Sequence, residues 1–360
     1  MQEILSELDS IAGQVENLEN RRRRLGSFLK EVKDAEIEGE RIPEKKISIP
    51  VEEADLTGKS VAGIDGGLLK KGYHAIDLVL TKAVAAVFHY GKGLEDVSYV
   101  PEALPTPKLS VFTEPLSRED FSLAANLERM EIEADLAVRV MDSEQLEILL
   151  MDGSLLPHPS TNPGEDSDVR GKFEDVLDLY RRMLDSPPCM LAGVCEDSRS
   201  RKFSKIVSDD ILEKVRSRKK KDLKKILKGT RDTNLLYHVL NQGERTSYFR
   251  YCEEPKKTHL PEGILSNVYS FYLKATKYDR PVRVDFHSEG DPAERADEVA
   301  SRLLSLSSDN EEYAIPTVLI EADKRASLKE EELRFIYSSL QDKVGDVPSL
   351  YKLRRDDRPF

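Results

Sequence analysis

The hydrophobic positions of this chain change period along its length, and those changes mark out its elements. From residue 1 to about 38, Ile4, Leu5, Leu8, Ile11, Ala12, Val15, Leu18, Leu25, Phe28 and Leu29 recur at helical spacing. This predicts one long helix, with heptad-like spacing that would allow pairing with a second copy. The run Arg21–Arg24 interrupts its middle, as a solvated face or as an arm that contacts phosphates or a partner. Pro43 and Pro50 mark residues 39–57 as a connector. The pattern then shortens to strands: a small, apolar run near 60–65, an alternating Val- and Ala-rich stretch over 74–89, and a third strand near 96–100. Gly91-Lys92-Gly93 turns between the last two, which predicts an antiparallel hairpin. Pro101, Pro105 and Pro107 break regular structure before a helix over about 117–142, with capping chemistry from Ser117 to Asp120. A strand over 147–152, a Pro/Ser/Asn-rich loop over 157–168, a helix over 170–185 and a strand over 189–194 follow. Beyond these the pattern predicts an amphipathic basic helix over 211–228, a strand over 281–286 and a helix over 292–306. An apolar run over 314–320 and a final helix over 328–342 complete the chain, and no internal repeat is visible.

The order strand-strand-strand-helix-strand-helix-strand predicts an α/β protein. It suits a ribonuclease-H-like arrangement: a mixed five-stranded sheet flanked by helices, with an N-terminal helical arm and helical insertions. The expected organisation is an arm over 1–40 and a domain over 55–345, carrying the basic helical insert at about 205–230.

Two phrases hold the candidate chemistry. Val61-Ala62-Gly63-Ile64-Asp65-Gly66-Gly67 and Leu149-Leu150-Met151-Asp152-Gly153-Ser154 each run from small or apolar residues into Asp-Gly. A buried strand reads this way when it ends in a carboxylate and a turn. Either phrase alone is an ordinary turn; together they suggest two carboxylates meeting at one sheet edge, the usual start of a divalent-metal site. The helix between them offers Glu119, Glu128, Glu131 and Glu133. His287, beside Asp285, is the one histidine next to another strand-end acid, and a strand-cap role suits it as well.

Composition narrows the partners. With 55 Lys and Arg against 67 Asp and Glu, the net charge is −12, so attraction to nucleic acid would need local basic patches or metal ions. The basic helix offers such a patch at Lys214–Lys228, or else a solvated, partner-docking insert. Cys189, Cys195 and Cys252 form no CxxC pair, so neither a zinc knuckle nor a disulfide framework is indicated. The chain carries no GxxxxGK[ST] and no GxSxG. No leader pattern and no apolar stretch near the ~20 residues of a membrane span is visible, so a cytoplasmic, soluble protein is expected.

At these residues the chain resembles the NurA nuclease family. Val61–Gly67 resembles the family's first motif, and Met151-Asp152-Gly153-Ser154-Leu155 its second Asp motif. Glu196-Asp197-Ser198-Arg199-Ser200 is similar to a segment usually written Lys-x-Ser-Arg-Ser. Asp232–Phe249, with Leu235-Leu236 and Gly243–Ser247, resembles a further block, and Tyr313–Pro316 through Leu319–Asp323 the C-terminal one. The resemblance spans about residues 58–340. It implies a ribonuclease-H-like nuclease that degrades DNA with Mn²⁺ or Mg²⁺. It also implies a homodimer that docks on a hexameric HerA-type ATPase to resect DNA ends in double-strand-break repair, and the missing P-loop agrees with a partner supplying the ATPase. By position it makes Asp65, Glu133 and Asp152 catalytic metal ligands, with Asp323 as fourth ligand and Glu131 in reserve; Asp285 and His287 are reserve candidates from the strand-end pattern alone. Arg199, Lys202, Lys219 and Lys220 would contact DNA.

Two positions depart from the family pattern. Glu196 stands where Lys is common, and Asp323 where the block commonly ends in His. Those two substitutions motivate a rival reading, a catalytically weakened scaffold subunit that regulates the ATPase. A hydrolase of RNA hybrids is a third reading that the fold would permit.

Overall fold

One long helix, α1 (Gln2–Val32), opens the chain; it ends short of the expected residue 38. Next come β1 (Ser48–Pro50), β2 (Ser60–Gly72), β3 (Asp77–His89), β4 (Val97–Val100) and β5 (Lys108–Phe112). They are followed by α2 (Arg118–Ser143), β6 (Ile148–Asp152), α3 (Arg170–Leu184) and β7 (Met190–Cys195). The chain continues through α4 (Lys202–Ile206), which runs into a wider π-turn over Val207–Ile211, then α5 (Lys220–Lys228), α6 (Asp232–Leu236), β8 (Glu244–Thr246) and β9 (Phe249–Arg250). It closes with α7 (Glu262–Leu265), β10 (Val268–Lys274), β11 (Val282–His287), α8 (Pro292–Leu306), α9 (Thr317–Ala326) and α10 (Glu330–Val344). This computed structural model describes all residues except 1, 34, 35, 38, 92–96, 115, 214–219, 253–259, 309 and 355–360. Two residues of the expected hairpin turn, Lys92 and Gly93, and Lys219 of the basic segment lie outside the described residues.

The chain forms two units. The central unit comprises Leu56–Gly193, Glu253–Asn267 and Thr317–Phe360; the N-terminal unit comprises Met1–Asp55, Val194–Cys252 and Val268–Pro316.

In the central unit the strands lie in the order β7-β6-β2-β3-β4, with β5 also paired to β3. β2 and β3 run antiparallel over their whole length, Ser60 opposite His89 and Gly72 opposite Asp77. β2 and β6 run parallel, with Ile64 opposite Met151. The five expected strands of this unit are β2, β3, β4, β6 and β7, with β5 added; the expected strand over 281–286 is β11, which lies in the other unit with the unforeseen β1, β8, β9 and β10. Most of β3 and the first half of β2 are buried because helices cover them, α2 and α9 both packing on β2 and β3. The residues Ile64, Val84, Ala125, Leu136, Leu149 and Val318 of these elements are buried, and Leu78 and Leu80 pack in a separate cluster with Tyr73 and Leu333 of α10. The side chain of Ser117 caps α2 by accepting from the Asp120 amide at 3.0 Å, as the sequence predicts. The apolar run near 314–320 enters α9 from Thr317 onward.

In the N-terminal unit the order is β1-β8-β10-β11, with β9 on β10. The C-terminal half of α1 buries Leu25 and Leu29 against Phe203, Leu227, Leu235 and Tyr272, whereas Ile4, Leu8, Ile11, Val15 and Leu18 in its first half are exposed. Arg245 of β8 is wholly buried, at 0% exposure, and is held by Glu44 at 2.6 and 2.8 Å and by Asp297 at 2.5 and 2.8 Å.

Candidate metal centre

Asp65 does not end its strand. β2 continues seven residues further, and Asp65 sits opposite Val84 in mid-ladder. The two glycines after it therefore do not make the turn that the sequence suggested; they make room. A Cβ on Gly66 would collide with the Glu133 carboxylate, and one on Gly67 with the Ala326 carbonyl oxygen. A Cβ on Gly63 would stand 2.9 Å from the Val318 carbonyl. Because side chains alternate along a strand, Gly63, Asp65 and Gly67 share the face that α9 covers, while Gly66 faces α2. The second phrase does behave as expected: β6 ends at Asp152, and Gly153 follows with φ +94°, a turn that favours glycine.

The parallel register that sets Ile64 opposite Met151 brings Asp65 and Asp152 next to each other on adjacent strands. Asp65 is buried, and its Oδ1 accepts from the Gly66 amide at 2.7 Å. It also shares a hydrogen bond with Asp323 of α9. Burial raises the Asp65 carboxyl, and the charges of Asp152 and Asp323 raise it further, to about 7. Glu133 reaches toward the same group from α2 and is buried at 5% exposure. Burial, with Asp65 and Asp152 nearby, pushes its carboxyl up to about 8, against the pull of Arg129. The Arg129 guanidinium, one helical turn earlier, donates to Glu133 Oε1 at 2.8 Å. Glu133, Asp65 and Asp152 all hold Arg129 in its charged form. Asp65, Asp152, Asp323, Glu133 and Arg129 thus act on one another's charge within the central unit, Asp323 from α9 and Glu133 and Arg129 from α2.

Glu131 points elsewhere. It pairs with Lys172 at 2.5 Å and Lys108 at 3.2 Å, and Glu128 joins the same two lysines. Asp285 and His287 belong to the N-terminal unit. Asp285 is wholly buried, accepts from the Ser270 hydroxyl at 2.7 Å and pairs with Arg283 at 3.1 Å. His287 is buried, which lowers its pKa, and its Nε2 has no hydrogen-bond partner among the described residues. Arg199 is exposed; Lys202 donates to the Tyr251 carbonyl and lies 4.2 Å over the Tyr251 ring; Lys220 pairs with Glu213 at 2.6 Å. Glu196 is engaged as well, accepting from the Tyr313 hydroxyl at 2.6 Å. Arg129 is the residue that sequence reasoning missed. Its signal was available: a basic residue four positions before a candidate Glu on one helix face.

The donor set suits a hard divalent cation. All four groups offer carboxylate oxygens, and two of them resist ionising together in the metal-free protein. A bound cation would relieve that repulsion. Among the described residues no three His, Cys, Asp or Glu side chains stand close enough together to hold an ion.

Comparison with known proteins bears on the fold and the family. No curated protein matches the chain. The NurA nuclease from Sulfolobus solfataricus superposes with a TM-score of 0.60 at 16% identity, covering 100% of this chain and 99% of that one. A NurA structure bound to dAMP and manganese superposes with a TM-score of 0.60 at 10% identity, covering 98% and 100%. A third, of NurA with manganese, gives 0.56 at 9% identity, covering 95% and 99%. At these identities the likeness establishes the fold. The model of the NurA domain matches residues 59–328, and the chain belongs to the NurA family.

Proposed function

We propose that this protein is a metal-dependent nuclease that hydrolyses DNA phosphodiesters on a ribonuclease-H-like sheet. The observation that carries the reading is the pairing of Asp65 and Asp152 on adjacent parallel strands, with buried Glu133 beside them. Asp65, Glu133, Asp152 and Asp323 would hold Mn²⁺, the ion named for two NurA structures of the same fold, or Mg²⁺. When bound, the ion supplies Lewis acidity toward water and the scissile phosphate.

The rest of the work falls to the chain's own side chains. Arg129 donates to Glu133 Oε1 and so fixes the rotamer of a carboxylate that has no solvent to orient it. The Gly66 amide holds Asp65 Oδ1 and Asp323 hydrogen-bonds the same carboxyl group, so the side chain is positioned from two sides. Without metal, Asp65 and Glu133 keep protons near neutral pH, which limits the charge stored in the site. Arg199, Lys202, Lys219 and Lys220 supply phosphate contacts that offset the acidic body. The biological setting we propose is the processing of single- and double-stranded ends in double-strand-break repair, by a homodimer working with a HerA-type hexameric ATPase.

The scaffold alternative rests on Glu196, an acid tied to Tyr313 where the family has Lys. One assay separates the two: linear single- and double-stranded DNA incubated with the chain and MnCl₂, with and without the ATPase. Digestion that disappears in Asp65→Ala supports the nuclease. Activity in neither condition supports the scaffold.

A further inference from the structure

A groove in the N-terminal unit lies between the α4–π segment and α5 and encloses about 420 Å³. Its lining includes Arg201, Ser204, Lys205, Asp209, Lys224 and Lys228. Four of these are cationic in a chain whose net charge is −12. The one acid, Asp209, is already paired with Arg41 at 3.3 Å. Lys224 pairs with Glu213, and Arg201 donates to the Lys228 carbonyl at 2.9 Å, which ties the two walls together. Lys205 and Lys228 are exposed, and their ammonium groups make no ion pair among the described residues. Two cations without ion-pair partners on one groove give it a positive potential that attracts anions.

Ser204 points to the same ligand independently. It is 2% exposed, lines the groove, and its hydroxyl has no hydrogen-bond partner among the described residues. Buried hydroxyls are normally satisfied, so an orphan beside a basic groove marks a missing acceptor. Its own backbone is not free to shift: the Ser204 amide donates to Asp232 Oδ1 at 2.7 Å and the Phe203 amide to Asp232 Oδ2 at 3.1 Å.

We propose that this groove is a phosphate-binding track for single-stranded DNA, in which Lys205 and Lys228 neutralise backbone phosphates and the Ser204 hydroxyl donates to one. The choice of DNA as ligand rests on the nuclease reading; the anion chemistry of the groove does not. The groove residues are distinct from the carboxylate set and bind without metal.

The test is fluorescence anisotropy of a 5′-fluorescein dT20 strand in EDTA across a salt series. Lys205→Gln/Lys228→Gln is expected to weaken binding about tenfold at low salt and to reduce the salt slope by about 1.4, at ~0.7 per lost phosphate contact. Ser204→Ala is expected to weaken binding about threefold without changing the melting temperature. The control Lys45→Gln/Lys343→Gln makes the same change in net charge elsewhere and is expected to bind as the parent does. Parent-like binding by the groove double variant, or an equal loss in the control, overturns the track. Mn²⁺-dependent cleavage by the parent is scored separately. Cleavage with parent-like binding by the groove variant sinks the groove alone. A groove-dependent loss of binding in a protein that never cleaves sinks the nuclease reading alone.

Discussion

Replacing Glu133 by Gln should stabilise the metal-free protein, and the gain should grow with pH. Gln is a neutral isostere of the protonated acid, so the variant behaves as a parent that never charges. Glu133 has its folded pKa raised from 4.5 to about 8. A carboxyl raised in the folded state binds its proton more tightly there than in the unfolded chain. It costs nothing well below about 4.5, costs more as pH climbs, and reaches its full penalty above about 8. At 1.36 kcal/mol per pKa unit this amounts to about 3 kcal/mol at pH 7, about 4 at pH 8 and under about 1 at pH 5. Glu133 is buried, so solvent screening does not reduce the figure much. Urea unfolding in EDTA at pH 5, 7 and 8 would read it directly. A variant less stable than the parent at pH 8, or a gain identical at pH 5 and 8, would refute the account of Glu133 as a buried, repelled carboxylate.

Other expectations follow from the same geometry. Mn²⁺ should raise the parent's melting temperature more at pH 8 than at pH 5, where Asp65 and Glu133 hold protons against it; an equal rise at both would argue against these ligands. Gly66→Ala pushes a methyl into the Glu133 carboxylate, a side-chain end, and should cut Mn²⁺ affinity, read by calorimetry, while costing about 1 kcal/mol of stability. Gly67→Ala pushes instead into the Ala326 backbone and should cost more, about 2–3 kcal/mol in denaturant. Arg245→Met strands Glu44 in the N-terminal unit and should cost about 3–5 kcal/mol, visible as a lower urea midpoint.

How much was legible in the sequence depended on whether the signal was local. Strands β2, β3, β6 and β7 and helices α2, α3 and α8 declare themselves because each is long enough to show its period. β1, β8 and β9 have three residues or fewer, too short for any period, and exist only because β10 and one another offer partners. The Asp-Gly phrases look alike in sequence and differ in structure. Asp152-Gly153 is a turn, where φ +94° calls for glycine. Asp65-Gly66-Gly67 lies in mid-strand, where the absence of Cβ admits a carboxylate from α2 on one face and the α9 backbone on the other. That close approach is a tertiary fact, invisible to a local reading. The choice between Glu131 and Glu133 was equally non-local: two residues apart on one helix they face different ways, and Lys108 and Lys172 claim the first. Arg129 went unread although its spacing to Glu133 on one helix face was visible, because that pair alone does not tell that Asp65 and Asp152 act on it too.

The measurement that tests the central claim most directly is anomalous diffraction from a crystal soaked in MnCl₂. The account predicts manganese density bounded by Asp65 and Asp152, and its loss in Asp65→Asn. Manganese bound elsewhere, or bound between those strands in Asp65→Asn as it is in the parent, would contradict it.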